Sequence, residues 1–362
     1  MTDLFSPLAL ASGPAWKNRF MLAPLTNTQS HPDGVLSDAE FNWLTLRAKG
    51  GFGLTMTCAA HVQAVGQGFP GQLGAFDDKH LPGLTRLSAA LKANGSVSSL
   101  QIHHAGNRSP KELVGTPVCP SDDPKTGARG LTLPEVEAVR DAYIAAGVRA
   151  EKAGFDGVEI HGAHGYILAQ FLSSEINHRA DRYGGSLENR ARIILEIIDG
   201  IRAQTRPGFQ LGLRLSPERF GLKLAEIRDV VAEILSAQKI DFLDMSLWDV
   251  AKEPNEEEFK GRTLMSVFTE LKRGNVRLGA AGKVMTGPQA QAVLDAGCDF
   301  VVIGRAAILR HDFVNRVQAD PAYASPATPV TAQHLADEGL SPAFVQYMRQ
   351  WPGFVEADAT AA

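Results

Sequence analysis

The densest chemistry in this 362-residue chain lies in the run IHGAHGY, where His161 and His164 stand three apart and Tyr166 follows. Neutral imidazoles can donate hydrogen bonds to a substrate's carbonyl oxygen. A phenol, with an ordinary pKa of about 10, keeps a proton to deliver near neutral pH. The same pair admits a metal reading, because zinc accepts histidine nitrogens and His103 and His104 could complete a ligand set. The H-x-x-H spacing alone does not choose between them. Other polar residues interrupt apolar runs. Gln101 can donate and accept at once, which suits a heterocycle presenting both N–H and C=O. Arg214 in LGLRL needs an anion or an electron-rich acceptor wherever it is buried. The turns GAAG (279–282) and IGR (303–305) let backbone amides approach an anion, and Arg305 adds a charge-assisted contact.

These residues fall at the ends of short apolar runs that read as strands. The runs are Arg19–Ala23, Phe52–Cys58, Val97–His103, Phe155–His161, Gln210–Leu215, Ile240–Ser246, Val276–Ala280 and Asp299–Gly304. Runs such as FDGVEIH and DFVVIG are nearly continuously apolar, as strands covered on both faces are. Stretches of helical period lie between them. Glu135–Ala153 carries Val136, Val139, Tyr143 and Ala150 on one stripe, and Asn189–Gln204 carries Ile194, Ile197, Ile198 and Ile201. Ser37 with Glu40, and Thr132 with Glu135, read as capping boxes. Eight strand–helix repeats without a hairpin predict a parallel sheet closed into a (β/α)8 TIM barrel. A doubly wound open sheet would carry G-x-G-x-x-G after its first strand; Ala23, Pro24, Leu25 and Thr26 stand there instead. A barrel holds its chemistry at the C-terminal ends of its strands, where the residues above all lie. The expected organisation is one barrel over residues 1–315 with a C-terminal extension over 316–362, packing on the barrel or on a subunit interface. Ala105–Gly130 is long enough for a functional loop. The aromatic run around Tyr347, Met348, Trp351 and Phe354 reads as packing.

Composition excludes several classes. With 36 basic and 40 acidic residues the formal charge is −4, which leaves no electrostatic footprint for nucleic acid. No apolar run approaches the roughly 18–20 residues of a membrane span. The start MTDLFSPLAL lacks the basic region of an export signal, so a cytoplasmic protein is expected. Three scattered cysteines (Cys58, Cys119 and Cys298) exclude a disulfide framework and a four-thiolate iron–sulfur cluster within one chain.

The block AGFDGVEIHGAHGYILAQFLSSEINHRADRYGGSLENRAR (153–192) resembles the Old Yellow Enzyme family of FMN-dependent ene-reductases. NRFMLAPLTN (18–27), QIHHAG (101–106), LRLSP (213–217), GAAGKV (279–284) and VVIGR (301–305) follow in the family's order. The resemblance implies FMN, tightly but non-covalently bound at the barrel mouth, with NADPH or NADH as a diffusing reductant. It places Ala23, Pro24, Leu25, Thr26 and Ala59 along the flavin, with Gln101 at the pyrimidine edge and Arg214 near N1/O2. Ala281, Gly282, Gly304 and Arg305 match the phosphate segments. His161 and His164 match the pair gripping the substrate's activating group, and Tyr166 the proton donor. The implied reaction is reduction of the C=C bond of α,β-unsaturated carbonyl or nitro compounds in a ping-pong cycle, with no metal. A metal-dependent barrel hydrolase using His161 and His164, or a non-catalytic flavin-binding barrel, are the alternatives. The expected partners are an enone-type small molecule and a nicotinamide, and the chain is compatible with a homo-oligomer. Two departures stand out: Cys58 where many members carry an acid, and Asn107 before Arg108 where members often carry arginine directly after HAG.

Overall fold

The structure is a computed structural model that describes residues 3–357. Eight parallel strands close on one another in chain order. They are β1 (Phe20–Leu22), β2 (Leu54–His61), β3 (Val97–His103), β4 (Gly157–Gly162), β5 (Gln210–Leu215), β6 (Phe242–Ser246), β7 (Arg277–Ala281) and β8 (Phe300–Ile303). The last strand returns to the first, with Phe20 level with Val301 and Leu22 with Ile303. The expected eight strands are all present, with ends displaced by a few residues. The largest shift is in β2, which runs on to His61 because a register irregularity between Met56 and Ala59 lets it keep pairing with β3.

Alternation along each strand sorts the side chains. Val158 and Ile160, Leu211 and Leu213, and Val301 and Ile303 face the helices, where they join the larger core cluster. Met21, Leu54, Met56, Val97, Phe242 and Phe300 face inward and form a second cluster with Trp16. Trp16 plugs the bottom of the barrel, edge-on to Phe242 and Phe300 with ring centroids 5.5 and 4.9 Å away. Its indole N–H donates to Gln210 Oε1 at 3.2 Å, which satisfies the one polar atom it buries. Gly212 and Gly279 face the Phe242 and Phe300 rings so closely that a Cβ at either position would overlap them. The floor is thus sealed by aromatic rings, with Gln210 as the polar partner of Trp16, and the chemistry-bearing side chains lie in the layers above.

Helices α1 (Asp38–Lys49), α2 (Leu81–Ala93), α3 (Leu133–Lys152), α4 (Leu187–Gln204) and α5 (Leu224–Ala237) follow the first five strands. The sixth connection departs from the expected pattern: it holds a 3-10 turn (Glu257–Phe259) and the four-residue helix α6 (Ser266–Thr269), with Leu264, Met265, Val267 and Phe268 buried around the latter. Helices α7 (Gly287–Asp295) and α8 (Arg305–Leu309) complete the ring. At α3 the Glu135 carboxylate accepts from the Thr132 backbone N–H at 2.7 Å, as a capping box requires. At α1 the box does not form. Ser37 Oγ accepts from Glu40 N–H at 3.1 Å, but the Glu40 side chain turns inward instead of back to the cap. There it accepts from Asn27 Nδ2 at 3.0 Å, Cys58 Sγ at 2.8 Å and the Ser30 hydroxyl. A carboxylate therefore reaches the strand-two position after all, delivered from another element.

The C-terminal part contributes α9 (Phe313–Ala319), α10 (Ala332–Asp337) and α11 (Pro342–Arg349). The expected 315/316 boundary falls inside α9, whose Phe313 meets Phe20 edge-on at 6.3 Å. Phe344 packs edge-on against Trp43 of α1 at 5.4 Å. Glu338 ties the segment to the end of α8: it accepts from the His311 backbone N–H at 2.7 Å and pairs with Arg310 at 2.7 Å. Burial pushes its carboxyl up, but the hydrogen bonds from His311 and the Arg310 charge outweigh this and hold it at about 2. A depressed carboxyl pKa contributes stability above the unfolded-state value and loses it as pH falls toward the folded-state value. Glu338→Gln is therefore expected to cost about 2 kcal/mol at neutral pH. The gap to the wild type should narrow as pH drops below about 4.5, as read by urea unfolding across that range. A gap independent of pH would remove Glu338 from this role.

Candidate active site

The C-terminal ends of the strands open into a cavity of about 280 Å³. All fourteen site residues expected from the sequence line it. Ala23, Pro24, Leu25 and Thr26 follow β1 directly, Ala59 comes from β2, Gln101 from β3, and His161, His164 and Tyr166 from β4 and its loop. Arg214 comes from β5, Ala281 from β7 with Gly282 just after it, Gly304 from the turn after β8, and Arg305 from the start of α8.

Backbone geometry aims the β4 loop. His164 and Gly165 take left-handed φ values of 60° and 69°, and Gly165 leaves no side chain in the way of Phe220. The His164 N–H donates to Ser216 Oγ at 2.9 Å, which pins that uncommon conformation. His161 Nδ1 accepts from the Ala163 backbone N–H at 3.2 Å, so its proton sits on Nε2. Ser246 Oγ accepts from Arg214 Nη2 at 3.3 Å and lies 2.8 Å from His164 Nε2. The Ser246 hydroxyl can accept from that nitrogen or donate to it, so this contact fits either neutral tautomer of His164. His103 Nδ1 accepts from Gln72 Nε2 at 3.1 Å.

Burial, first, and then the neighbouring charges push all these imidazoles down: His164 to about 3, and His161 and His103 well below their ordinary value. They are neutral N–H donors at physiological pH. Tyr166 stands edge-on to His103 at 4.4 Å and to His161 at 5.2 Å. Burial raises its phenol above the usual range, while Arg108, whose guanidinium lies over the ring at 4.7 Å, pulls the other way. Among the described residues no three His, Cys, Asp or Glu side chains converge to hold a metal ion. His161 Nδ1 is already engaged with the backbone.

Below the mouth lies a polar layer that the sequence reading missed. Gln101 Nε2 donates to Glu159 Oε2 at 2.6 Å, and Arg214 Nε stands 3.1 Å from Asp244 Oδ2. Burial pushes both carboxyls up; the Asp244 charge adds to this at Glu159, and Arg214 opposes it at both. Both acids sit two residues before a mouth residue (Glu159 before His161, Asp244 before Ser246) on apolar strands. That period-2 spacing was the available signal. Phe69, Ser246, Trp248, Lys283 and Met285 also line the cavity without having been singled out. Tyr347, Met348 and Trp351 correct another expectation: Met348 is buried in the core, yet all three also line the cavity, because α11 and the turn after it reach the barrel mouth.

The residues fit FMN. Arg214 and Gln101 offer a fixed cation and an amide at one side of the slot. Ala23, Pro24 and Leu25 give it an apolar wall. A Cβ at Gly304 would only touch Leu25 Cδ2 at 3.7 Å and Ala23 Cβ at 3.8 Å, so this glycine lies against the same apolar wall, next to Arg305. A closed parallel barrel with this slot defines a flavin-dependent oxidoreductase barrel. Residues 3–322 match the model of the NADH:flavin oxidoreductase / NADH oxidase family. The probable NADH-dependent flavin oxidoreductase YqiG of Bacillus subtilis (strain 168) is 38% identical over 327 residues, 87% of each chain. An old yellow enzyme homologue from Zymomonas mobilis superposes with a TM-score of 0.80 at 27% identity, covering 96% of this chain and 99% of that one. A 2-naphthoyl-CoA reductase in complex with 2-naphthoyl-CoA superposes at 0.79 and 27% identity over 87% of this chain, which spans only 52% of that one. The chain belongs to the NADH:flavin oxidoreductase family, the Old Yellow Enzyme group, and is an oxidoreductase using FMN with NADH or NADPH.

Proposed function

We propose that this enzyme is an ene-reductase acting on α,β-unsaturated carbonyl or nitro compounds, with nicotinamide and substrate taking turns in one site. The observation that carries the reading is the pair of neutral imidazoles, His161 with its proton on Nε2 and His164 beside it, set next to a protonated phenol at the cavity mouth. The two imidazoles bind and polarise the substrate's oxygen. A charged imidazolium would be mismatched to a neutral carbonyl, and burial removes that state. Tyr166 delivers a proton to Cα. FMN, when bound, supplies the hydride exchange between nicotinamide and substrate. Arg214 holds a fixed positive charge where the reduced cofactor becomes negative, so no reorganisation is needed. Gln101 meets the pyrimidine edge, and Arg305 with the amides around Gly282 and Gly304 holds the phosphate. The apolar wall and the overlying Tyr347, Met348 and Trp351 exclude water. A cytoplasmic location suits a diffusing nicotinamide reductant.

The test is spectral. Anaerobic NADH or NADPH should bleach the flavin band of the holoenzyme at about 450 nm, and cyclohexenone or a nitroalkene should restore it. Flavin that stays reduced in the presence of enones and nitroalkenes, while oxygen or a quinone restores it, would exclude the ene-reductase reading.

A further inference from the structure

The polar layer beneath the mouth has an unbalanced charge. Arg214 is its one cation, and it faces two carboxyls, Glu159 and Asp244, all three buried. The groups packed around them add no second cation: Gln101 and His103 from β3, His161 from β4, Ser246 from β6 and Cys298 just before β8. The histidines are held neutral by burial, and burial pushes the Cys298 thiol up to about 12. Arg214 lies against Asp244 across the β5–β6 pairing, where the two residues are direct neighbours. Glu159 has only the uncharged Gln101 amide as a partner, and its Oε1 is fully buried with none. An ionised carboxylate with one neutral partner is among the costliest things to bury, and such a group keeps its proton instead.

We infer that Glu159 is a protonated positioning residue whose neutrality keeps the Arg214–Asp244 pair free of a second, uncompensated negative charge beneath the bound cofactor, so that its ionisation lowers the cofactor's tendency to accept electrons. Asp244 and Arg214 cancel as a pair. A neutral Glu159 leaves the layer without net charge. Once Glu159 ionises, the layer carries one uncompensated negative charge beneath the slot, opposing the charge that reduction creates. By reciprocity, reduction makes Glu159 harder to ionise. This rests on FMN binding at the mouth and not on the choice of substrate.

The measurement is the midpoint potential of the FMN holoenzyme from about pH 6 to about pH 10, a range wide enough to catch a raised carboxyl. The wild type should show one segment of steeper decline on the alkaline side, then run parallel at a lower value. Glu159→Gln, permanently neutral, should lose that segment and stay on the extension of the neutral-pH branch. Asp244→Asn should keep the segment but move it to lower pH, since a charge opposing ionisation is gone. Infrared difference spectra on reduction should show a protonated-carboxyl band in the wild type that is absent from Glu159→Gln. Should Glu159→Gln fail to fold, the wild-type segment, the Asp244→Asn shift and the carboxyl band still decide. A wild type without the segment or the band overturns the inference. So does a segment that survives Glu159→Gln or disappears in Asp244→Asn. None of these readings involves an enone, so the ene-reductase proposal can fail while this one stands.

Discussion

Tyr166→Phe is expected to slow reoxidation of the reduced holoenzyme by an enone by about 10²–10⁴-fold, the usual range for losing a positioned general acid. Flavin reduction by NADH or NADPH should stay within about twofold, because that step needs no proton from the phenol. Phenylalanine keeps the ring that packs edge-on against His103 and His161 and beneath the Arg108 guanidinium, so the loop should hold its shape. What disappears is a hydroxyl that burial keeps protonated at the mouth. Stopped-flow measurement of the two half-reactions separates the outcomes. An oxidative half-reaction at the wild-type rate would show that the proton reaches Cα from elsewhere, with solvent the first candidate.

Arg214→Leu should be the most damaging single change to the barrel interior. It removes the cation between two buried carboxyls and the donor that orients Ser246, and through Ser246 His164. Breaking a buried ion pair from one side costs about 3–5 kcal/mol, because the remaining charge is left without compensation. The penalty should depend on pH with a definite sign. Without Arg214 the folded-state pKa of Asp244, already raised by burial, rises further above its unfolded value. A raised carboxyl pKa destabilises above the unfolded value and is relieved by protonation as pH falls. The variant should therefore lie closest to the wild type near about pH 5 and furthest from it near about pH 8, as measured by urea unfolding. FMN retention should fall as well, since the cofactor loses its fixed positive contact. An equal stability loss at both pH values would mean that Asp244 and Glu159 do not feel the Arg214 charge. Arg214→Lys should recover part of the stability and less of the cofactor binding, because a point charge does not reproduce the guanidinium's planar fork.

Much of the site could be read directly because each strand carries its own evidence. A near-continuous apolar run that ends in a histidine, arginine or glycine marks both the strand and its functional end, as in FDGVEIH, LGLRL and DFVVIG. The loops announce themselves through turn residues, and the GAHGY segment takes the left-handed conformations that its glycines and histidine suggest. What could not be read depends on which residues meet. Glu40 looks like the second half of a capping box, and its spacing from Ser37 is correct for one. The structure draws it instead into a pocket shared by Asn27, Ser30 and Cys58, contributed by two other stretches of chain. Glu159 was passed over as one acid in an apolar strand. Its significance arises only when Gln101 and Asp244 come from 58 and 85 positions away. The aromatic run near residue 350 fooled the reading in the opposite direction. Core packing was the ordinary expectation, yet α11 and the turn after it bring Tyr347 and Trp351 to the cavity.

The sequence alone determined the eight strands, most of the helices between them, and the identity of the groups at the strand ends. These follow from period-2 and period-3.6 patterning, which acts between near neighbours and needs no knowledge of the rest of the chain. Tertiary structure decided the tautomer of His161, the neutrality of His161 and His164, the one-cation, two-carboxyl layer under the mouth, and the side chains that cover it. Those depend on burial and on contacts between distant segments. Desolvation and Coulomb energy are fixed by position in space, and position in space exists only once the barrel has closed.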